Sequence, residues 1–514
     1  MRMVGISTNS LSAFWRVNLS ITASILYNLI ECPHRIALDT FGDQGKRDQV
    51  SPFVRMLWER GNIYEREVIA GLKQEPQIEF VDLSAFEGEE LEQKTLEAMV
   101  NKAPFIYQGK IMADDLVGRP DLLRLEAGGY VPGDVKSGRG EGEGDDVEEG
   151  KPKDTYAVQL GLYIDILERL GLSAGRRGFI WDVNGEEVVY RYEEALGKRN
   201  PYTLWELYQE TLEKARNILS RKEETQGALA AKCKLCHWHT VCKKELETQD
   251  DLTLIPYLGR AARNSLIGSI KTVRDMADCD PQDFFQKDKT IFKGVGQKSL
   301  NKFAARAKLL KAIPAQAYLT DIVSLPTSDK EIFFDIEDDP LRGICYLHGI
   351  VERVGGDTES EKFIGFFAEE PTPTGERDAF AKAIEYFRAN PSAIIYYYSK
   401  YERTAYRKLQ RKYPDVCDAD EIEALFHPDR SIDLYNDVVL KKTEWPTYSY
   451  SIKALAVYLD FKWRDNNPSG AASIEWYDQW IKTGDIAVKQ RILDYNEDDC
   501  RATRVLLDGI RNLS

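Results

Sequence analysis

Apolar positions along this chain recur at two periods, and the changeovers between them predict its elements. A helical repeat covers residues 18–40, with Leu26, Leu29 and Ile30 on one face and a break at Cys32-Pro33. A second helix runs from about Phe53 to Leu72. The period then shortens. Leu122, Leu123 and Leu125 form an apolar run, Gly128-Gly129 turns the chain, and an extended run ends at Asp134-Val135-Lys136, which predicts a β-hairpin. Glycine and charge dominate residues 139–154, a predicted mobile surface loop. An amphipathic helix follows from Tyr156 to Leu170, then a hairpin around Asn184-Gly185 and a helix from Leu204 to Arg221. Short helices with glycine-bearing turns occupy residues 250–317. After that come strands at Glu331–Glu337, Gly343–Arg353 and Ala393–Tyr398, with a helix from Glu376 to Arg388 between the last two. A long helix from Ala487 to Ile510 closes the pattern.

The first hairpin carries candidate chemistry. Asp134 and Lys136 are two residues apart and share a strand face, and the turn returns Asp121 to their side. Two carboxylates hold a hard cation through oxygen, and the cation lowers the pKa of its water. The lysine can orient that water or meet charge on a phosphate. Gln159 and Tyr163, four residues apart, share one face of the next helix. Pro120-Asp121, Asp134-x-Lys136 and Gln159-x3-Tyr163, in this order, resemble the RecB-like branch of the PD-(D/E)xK nuclease superfamily. The resemblance implies a restriction-endonuclease-like α/β domain with Mg²⁺ or Mn²⁺ at Asp121 and Asp134. It also implies nucleic-acid contacts through Gln159 and Tyr163 and one further acid on an earlier helix. Glu65 is the candidate for that acid, with Glu67 as the alternative.

Cys233-x2-Cys236-x5-Cys242 has metal-ligand spacing, three soft thiolates in one short stretch. In iron-sulfur members of the RecB-like branch, one cysteine near the N-terminus joins three that follow the nuclease core. Cys32, in Glu31-Cys-Pro-His34, matches that first position. The resemblance thus implies a 4Fe-4S cluster on Cys32, Cys233, Cys236 and Cys242 that closes a first domain of residues 1–249. Zinc held by three cysteines and His237 or His239 is the alternative.

Residues 250–325 form a predicted small α-helical domain. The glycine turns at Gly268 and at Phe292-Lys-Gly-Val-Gly-Gln-Lys298 resemble helix-hairpin-helix repeats. That resemblance implies phosphate contact through Lys293, Gly294, Gly296, Lys298 and Lys302. Basic residues far outnumber the single acid, Asp288, between Lys287 and Lys311, so the segment can track a nucleic-acid backbone. Gly296-Gln-Lys-Ser299 lacks the upstream glycine of a P-loop, and no motor ATPase is predicted.

A second acid cluster lies in residues 326–514. A strand delivers Asp335 and Glu337 to one face, Glu402 follows Tyr401 at a helix start, and Tyr495 and Asp499 sit one helical turn apart. The Asp-x-Glu strand and the late Tyr-x3-Asp helix resemble the DEDD exonucleases, the DnaQ-like branch of the RNase H-like α/β fold. That resemblance implies two cations bridged by Asp335 and held by Glu337, Asp499 and a middle acid. Tyr495 would place the water, and the polarity would be 3′ to 5′. The family's middle acid is an aspartate after phenylalanine. This chain offers Glu402 after tyrosine, and Asp433 is an additional acid in a later strand.

Composition adjusts this picture in four places. A length of 514 residues suits about three domains, so the expected fold class is multidomain α/β. The net charge of −15 leaves nucleic-acid binding to local basic patches. Eight cysteines in a chain of this size do not read as a disulfide framework; Cys279, Cys345, Cys417 and Cys500 read as plain small residues. No apolar run reaches membrane-spanning length, and Ser20, Thr22, Ser24 and Asn28 interrupt any signal-like core, so a cytoplasmic location is expected. The expected activity is metal-dependent phosphodiester hydrolysis at two sites. The expected partners are single-stranded or end-containing nucleic acid, DNA before RNA, and a helicase or repair complex. A nucleic-acid-binding scaffold with one or both sites inactive is the alternative.

Overall fold

Pro33 and Gly42 bound the second half of the N-terminal helical repeat, dividing it into α1 (Ala23–Glu31) and α2 (Pro33–Phe41). The computed structural model describes residues 20–74, 79–142, 150–197 and 201–513. The start of the first predicted domain and the centre of the predicted charged loop, residues 143–149, fall outside these. The chain divides into two compact units: residues up to 47 with 57–227, and residues 48–56 with 228 onward.

From residue 57 on, the first unit includes most of α3 (Pro52–Lys73), β1 (Phe80–Asp82), α4 (Gly88–Val100), β2 (Phe105–Tyr107), β3 (Leu122–Glu126) and β4 (Gly129–Val135). Then come α5 (Asp154–Arg169), β5 (Arg177–Trp181), β6 (Glu187–Arg191) and α6 (Leu204–Leu219). The six strands form one mixed sheet in the order β1-β2-β3-β4-β5-β6. The β3/β4 and β5/β6 hairpins are antiparallel, and β4/β5 and β1/β2 are parallel. Gly128 (φ +97°) and Gly129 (φ +154°) make the first hairpin turn, and Gly185 (φ +73°) the second. Helix α5 is buried on nearly every side: Val158, Leu160, Leu162, Ile164, Ile166 and Leu167 are inaccessible. Each such side chain contributes about 1.5–3 kcal/mol on burial. This fixes the helix that carries Gln159 and Tyr163.

Residues 48–56 join the second unit through Asp48. Its N–H donates to the His237 carbonyl (2.8 Å), and its Oδ2 accepts from the Thr240 N–H (2.9 Å) in the first turn of α7 (His239–Thr248). Short helices α8 (Arg260–Leu266) and α9 (Val273–Asp278) flank Gly268, and α10 (Gln297–Lys311) follows. Leu252, Leu266, Val273, Met276, Leu300 and Phe303 pack among them. The central ion pair of this region is Arg306 Nε to Glu444 Oε2 at 2.7 Å, with both side chains 3% exposed. Arg306 also donates to the Pro256 carbonyl (3.0 Å), and Tyr450 Oη donates to Glu444 (2.5 Å).

The rest of the unit is built on β7 (Lys330–Asp339), β8 (Ile344–Val354), β9 (Asp357–Phe367), α11 (Pro373–Ala389), β10 (Ile394–Tyr397), α12 (Tyr401–Lys412) and β11 (Ser431–Asp433). Helices α13 (Ile452–Tyr458), α14 (Gly470–Thr483) and α15 (Ile486–Arg511) complete it. The sheet order is β9-β8-β7-β10-β11, with β7, β8 and β9 antiparallel and β10 and β11 parallel to β7. Strand β9 has no counterpart in the sequence pattern, because its first half, DTESEK, is polar and largely exposed. Among the described residues, no helix is long and apolar enough to cross a membrane.

Candidate functional site

Strand β4 is an interior strand, and its end carries the first acid cluster. Asp134 is 2% exposed; its Oδ2 lies 2.9 Å from Lys136 Nζ, and its Oδ1 accepts from the Asp121 N–H at 3.3 Å. Asp121 Oδ2 in turn accepts from the Val135 N–H at 2.9 Å. Glu65, on α3, reaches the same cluster through Gln108. The Gln108 amide donates to Glu65 Oε1 (2.6 Å) and to Asp121 Oδ1 (3.3 Å), and Tyr107 Oη donates to Glu65 (2.9 Å). Gln108 holds a left-handed backbone (φ +56°), an uncommon conformation that occurs at functional sites. Desolvation and the Asp134 charge lift the Asp121 carboxyl well above the usual carboxylate range. Burial works against the Lys136 ammonium, but the Asp134 and Asp121 charges outweigh it and hold the group above the usual lysine range.

The two α5 residues take different places. Tyr163 is buried and donates to the Arg119 carbonyl (3.2 Å), beside the Pro120-Asp121 step. Gln159 has a buried Oε1 that accepts no hydrogen bond among the described residues. A cleft of about 350 Å³ opens beside Glu65 and Gln108, with exposed Arg66 and Arg119 on its wall.

The second cluster is assembled by β7 and α15. Asp335, Glu337 and Asp499 each bring a carboxylate oxygen within 4.8 Å of the others. A β-bulge between Glu337 and Asp338 adjusts the strand at this level. Asn496 donates to Asp335 Oδ2 (2.8 Å), and the Trp463 indole N–H donates to Asp499 Oδ1 (2.6 Å). Lys453, on α13, donates to Tyr495 Oη (2.7 Å) and lies 3.6 Å from Asp499 Oδ2. Gly349 pairs with Asp335 across β7 and β8, and a Cβ there would lie 1.4 Å from Asn496 Oδ1. Desolvation, then Asp499 and Glu337, raise the Asp335 carboxyl well above its usual range, and burial and Asp499 push Glu337 up to about 8.

Glu402 is 3% exposed at the start of α12 and lies outside that close trio, although its charge reaches Asp335. Ser399, with φ +128°, bonds its carboxylate at 3.5 Å. Burial, with Asp433 adding to it, pushes Glu402 up to about 8. Asp433 caps the π-helical turn Leu434–Val439 by accepting from the Asn436 N–H and side-chain amide. A raised folded-state pKa means that the native state holds the Glu402 proton more tightly than the unfolded chain does. The stabilisation is complete below the unfolded value and is lost as pH rises through about 8. Glu402→Gln removes this loss. The variant should match wild type below about pH 4 and gain on it from there toward pH 8, by at most about 1.4 kcal/mol per pH unit. Denaturant titrations of metal-free protein across that range measure the difference.

Residues 44–243 match the PD-(D/E)XK nuclease superfamily, and residues 332–510 match the RNase_H superfamily. The chain joins a PD-(D/E)XK domain to an RNase_H domain. Both superfamilies support a hydrolytic nuclease acting on nucleic acid, and such domains usually use Mg²⁺ or Mn²⁺.

Four residues at these clusters are not specified by the sequence motifs. Gln108 joins Glu65 to Asp121 in the PD-(D/E)XK domain; Lys453, Trp463 and Asn496 hold the RNase_H acids. Only Asn496, inside the Tyr-x3-Asp run, had a local signal. Of the helical-segment candidates, Gly296 is the N-cap of α10 and Gly294 adopts φ +77°. Lys293 and Lys298 flank them. Lys302 donates to the Leu440 carbonyl (2.9 Å) and lies 3.9 Å from Glu444, with its side chain 40% exposed. Cys233 lies in a 3₁₀ turn, Ala231–Leu235, that Cys236 ends, and Cys242 lies in α7. Cys32 is the N-cap of α2, and all four thiols are half-buried.

Proposed function

We propose that this protein hydrolyses phosphodiester bonds of nucleic acid, DNA before RNA, at two separate metal-dependent sites. One observation carries the reading: each matched domain gathers carboxylates against a lysine, Asp134 with Lys136 and Asp499 with Lys453. In the PD-(D/E)XK domain, of the RecB-like type, Asp121 and Asp134 would hold Mg²⁺ or Mn²⁺, with Glu65 assisting. In the RNase_H domain the ligands would be Asp335, Glu337 and Asp499, and the activity a 3′-to-5′ exonuclease. The bound ion supplies Lewis acidity and a water of lowered pKa. Lys136, charged at neutral pH, meets charge on the phosphate, and Tyr495 and Glu402 orient groups at the second site. Gln159, with its unpartnered oxygen, and Tyr163 position the strand beside Asp121. The helix-hairpin-helix-like segment would contribute backbone contacts at Lys293, Gly294, Gly296, Lys298 and Lys302. A cytoplasmic helicase or repair complex is the expected partner.

The donor set of Cys32, Cys233, Cys236 and Cys242 suits a 4Fe-4S cluster, four thiolates without a competing carboxylate among them. Such a cluster would tie distant parts of the chain together. Cys236→Ser should then bleach the visible absorbance of anaerobically purified protein and lower its melting temperature. Colourless wild-type protein containing zinc would replace the cluster with the zinc alternative.

The direct test is cleavage of end-labelled single-stranded DNA, and of a matched RNA, with Mn²⁺ and with EDTA. Mn²⁺-dependent shortening is expected. Salt-sensitive binding without cleavage of either polymer would favour a scaffold instead.

A further inference from the structure

Helix α3 carries one face from the sheet to the first acid cluster and on past it. Ile69, Glu65, Asn62 and Trp58 follow one another at helical spacing along that face. Ile69 is 3% exposed and packs with Tyr107, Leu122, Val131 and Val135. One turn back, Glu65 accepts from Tyr107 and Gln108 beside Asp121. Beyond Glu65 the face is open. Asn62 is exposed, and Trp58 is 58% exposed, with no hydrogen bond or ring contact among the described residues. Tryptophan is on average highly buried, so an indole left open in line with an acid cluster is uncommon.

The surroundings suit a nucleic-acid strand. Asn62 and Glu65 line the cleft of about 350 Å³ beside Gln108, whose wall sets Arg66 and Arg119 against one further acid, Glu87. Arg119 makes no ion pair among the described residues, and Arg66 spends Nε alone, on the Asn62 carbonyl at 3.0 Å. Both guanidinium groups can therefore meet phosphates. From Trp58 to Glu65 the helix axis advances about 10 Å, the length of about three stacked nucleotides. Inside a duplex both faces of a base are taken by its neighbours, so the exposed ring selects an unpaired one.

We propose that Trp58 is a stacking platform for an unpaired base of the strand that meets the PD-(D/E)XK acids, with Arg66 and Arg119 on the phosphates between. This rests on reading Asp121 and Asp134 as a hydrolytic site, and the experiment keeps the two claims apart. The full chain is mixed in EDTA, where no hydrolysis occurs, with single-stranded DNA carrying iodouracil, then irradiated and digested for mass spectrometry. A crosslink at Trp58 is expected from the single strand and not from the same base inside a blunt duplex. Trp58→Ala should lose it and Trp58→Phe should keep it. In a second arm, Mn²⁺ is added to the chain carrying Asp335→Asn, so that cleavage reports the PD-(D/E)XK site. There Trp58→Ala should raise KM for the single strand about tenfold, within the range of one stacked base, and Trp58→Phe by no more than about threefold. Melting curves of the variants should coincide with wild type, because the indole is exposed. Crosslinks elsewhere in the chain with none at Trp58, equal crosslinks from the duplex, or an unchanged KM in Trp58→Ala overturn the proposal and leave the hydrolytic reading standing. A crosslink at Trp58 without Mn²⁺-dependent cleavage keeps the platform and overturns the hydrolytic reading. No crosslink anywhere and no cleavage overturn both.

Discussion

Asp134→Asn should remove the cleavage products of the PD-(D/E)XK domain and leave those of the RNase_H domain, and Asp335→Asn should do the reverse. Each loss is expected to be on the order of a thousandfold, the several kcal/mol that a hard cation supplies to a developing charge. At Asp134 the amide keeps the side chain's shape and can still accept from the Asp121 N–H. It cannot balance the Lys136 ammonium, which stands 2.9 Å from the carboxylate. At Asp335 the Asn496 bond survives if the new amide presents its oxygen to it, while the charge shared with Glu337 and Asp499 is gone. The measurement is the product ladder of end-labelled DNA in each variant, with melting curves to confirm folding. If either variant alone abolishes every product, the two clusters do not act separately.

Arg306→Ala should cost the second unit about 3–5 kcal/mol, the usual penalty for breaking a buried ion pair from one side. Both charged groups are almost inaccessible, and Glu444 would keep only Tyr450 and the more distant Lys302 as partners. Arg306→Met with Glu444→Gln should cost much less, because neither site then holds an unpaired buried charge. Denaturant midpoints of the single and double variants give the comparison. Equal losses in both would mean that the guanidinium acts by packing, between the Tyr257 and Tyr450 rings, more than by charge.

The periodic parts of the fold were legible in the sequence. The predicted Phe53–Leu72 helix corresponds to α3, the Gly128-Gly129 turn to the β3/β4 hairpin, and the late helix to α15. These rest on local physics: helical spacing, glycine at positive φ, apolar strand runs. Strand β9 was not legible, because it borders only one strand of the sheet and much of its surface is polar. The acids Asp335, Glu337 and Asp499 stood out by spacing, whereas Lys453 and Trp463 are brought to them by the helices between β11 and α15 and have no short-range signature. Arg306 and Lys302 illustrate the reverse. A basic run reads as a surface for phosphate, yet Arg306 is buried against Glu444, and the half-exposed Lys302 spends a hydrogen bond on the Leu440 carbonyl. Sequence charge does not reveal direction.

Gly349 bears on how the RNase_H acids come to meet at all. Asp335 and Glu337 belong to the sheet and Asp499 to the helix laid across it, so their encounter depends on how closely helix and sheet approach. At the level of Asp335 that spacing is set by a residue with no side chain, with the Asn496 oxygen filling the space a methyl group would need. The competence of the cluster is therefore a matter of thickness as well as charge. A chain that kept every acid but carried a larger residue at this register would hold the two halves of its cluster apart, and a count of its carboxylates would not reveal it.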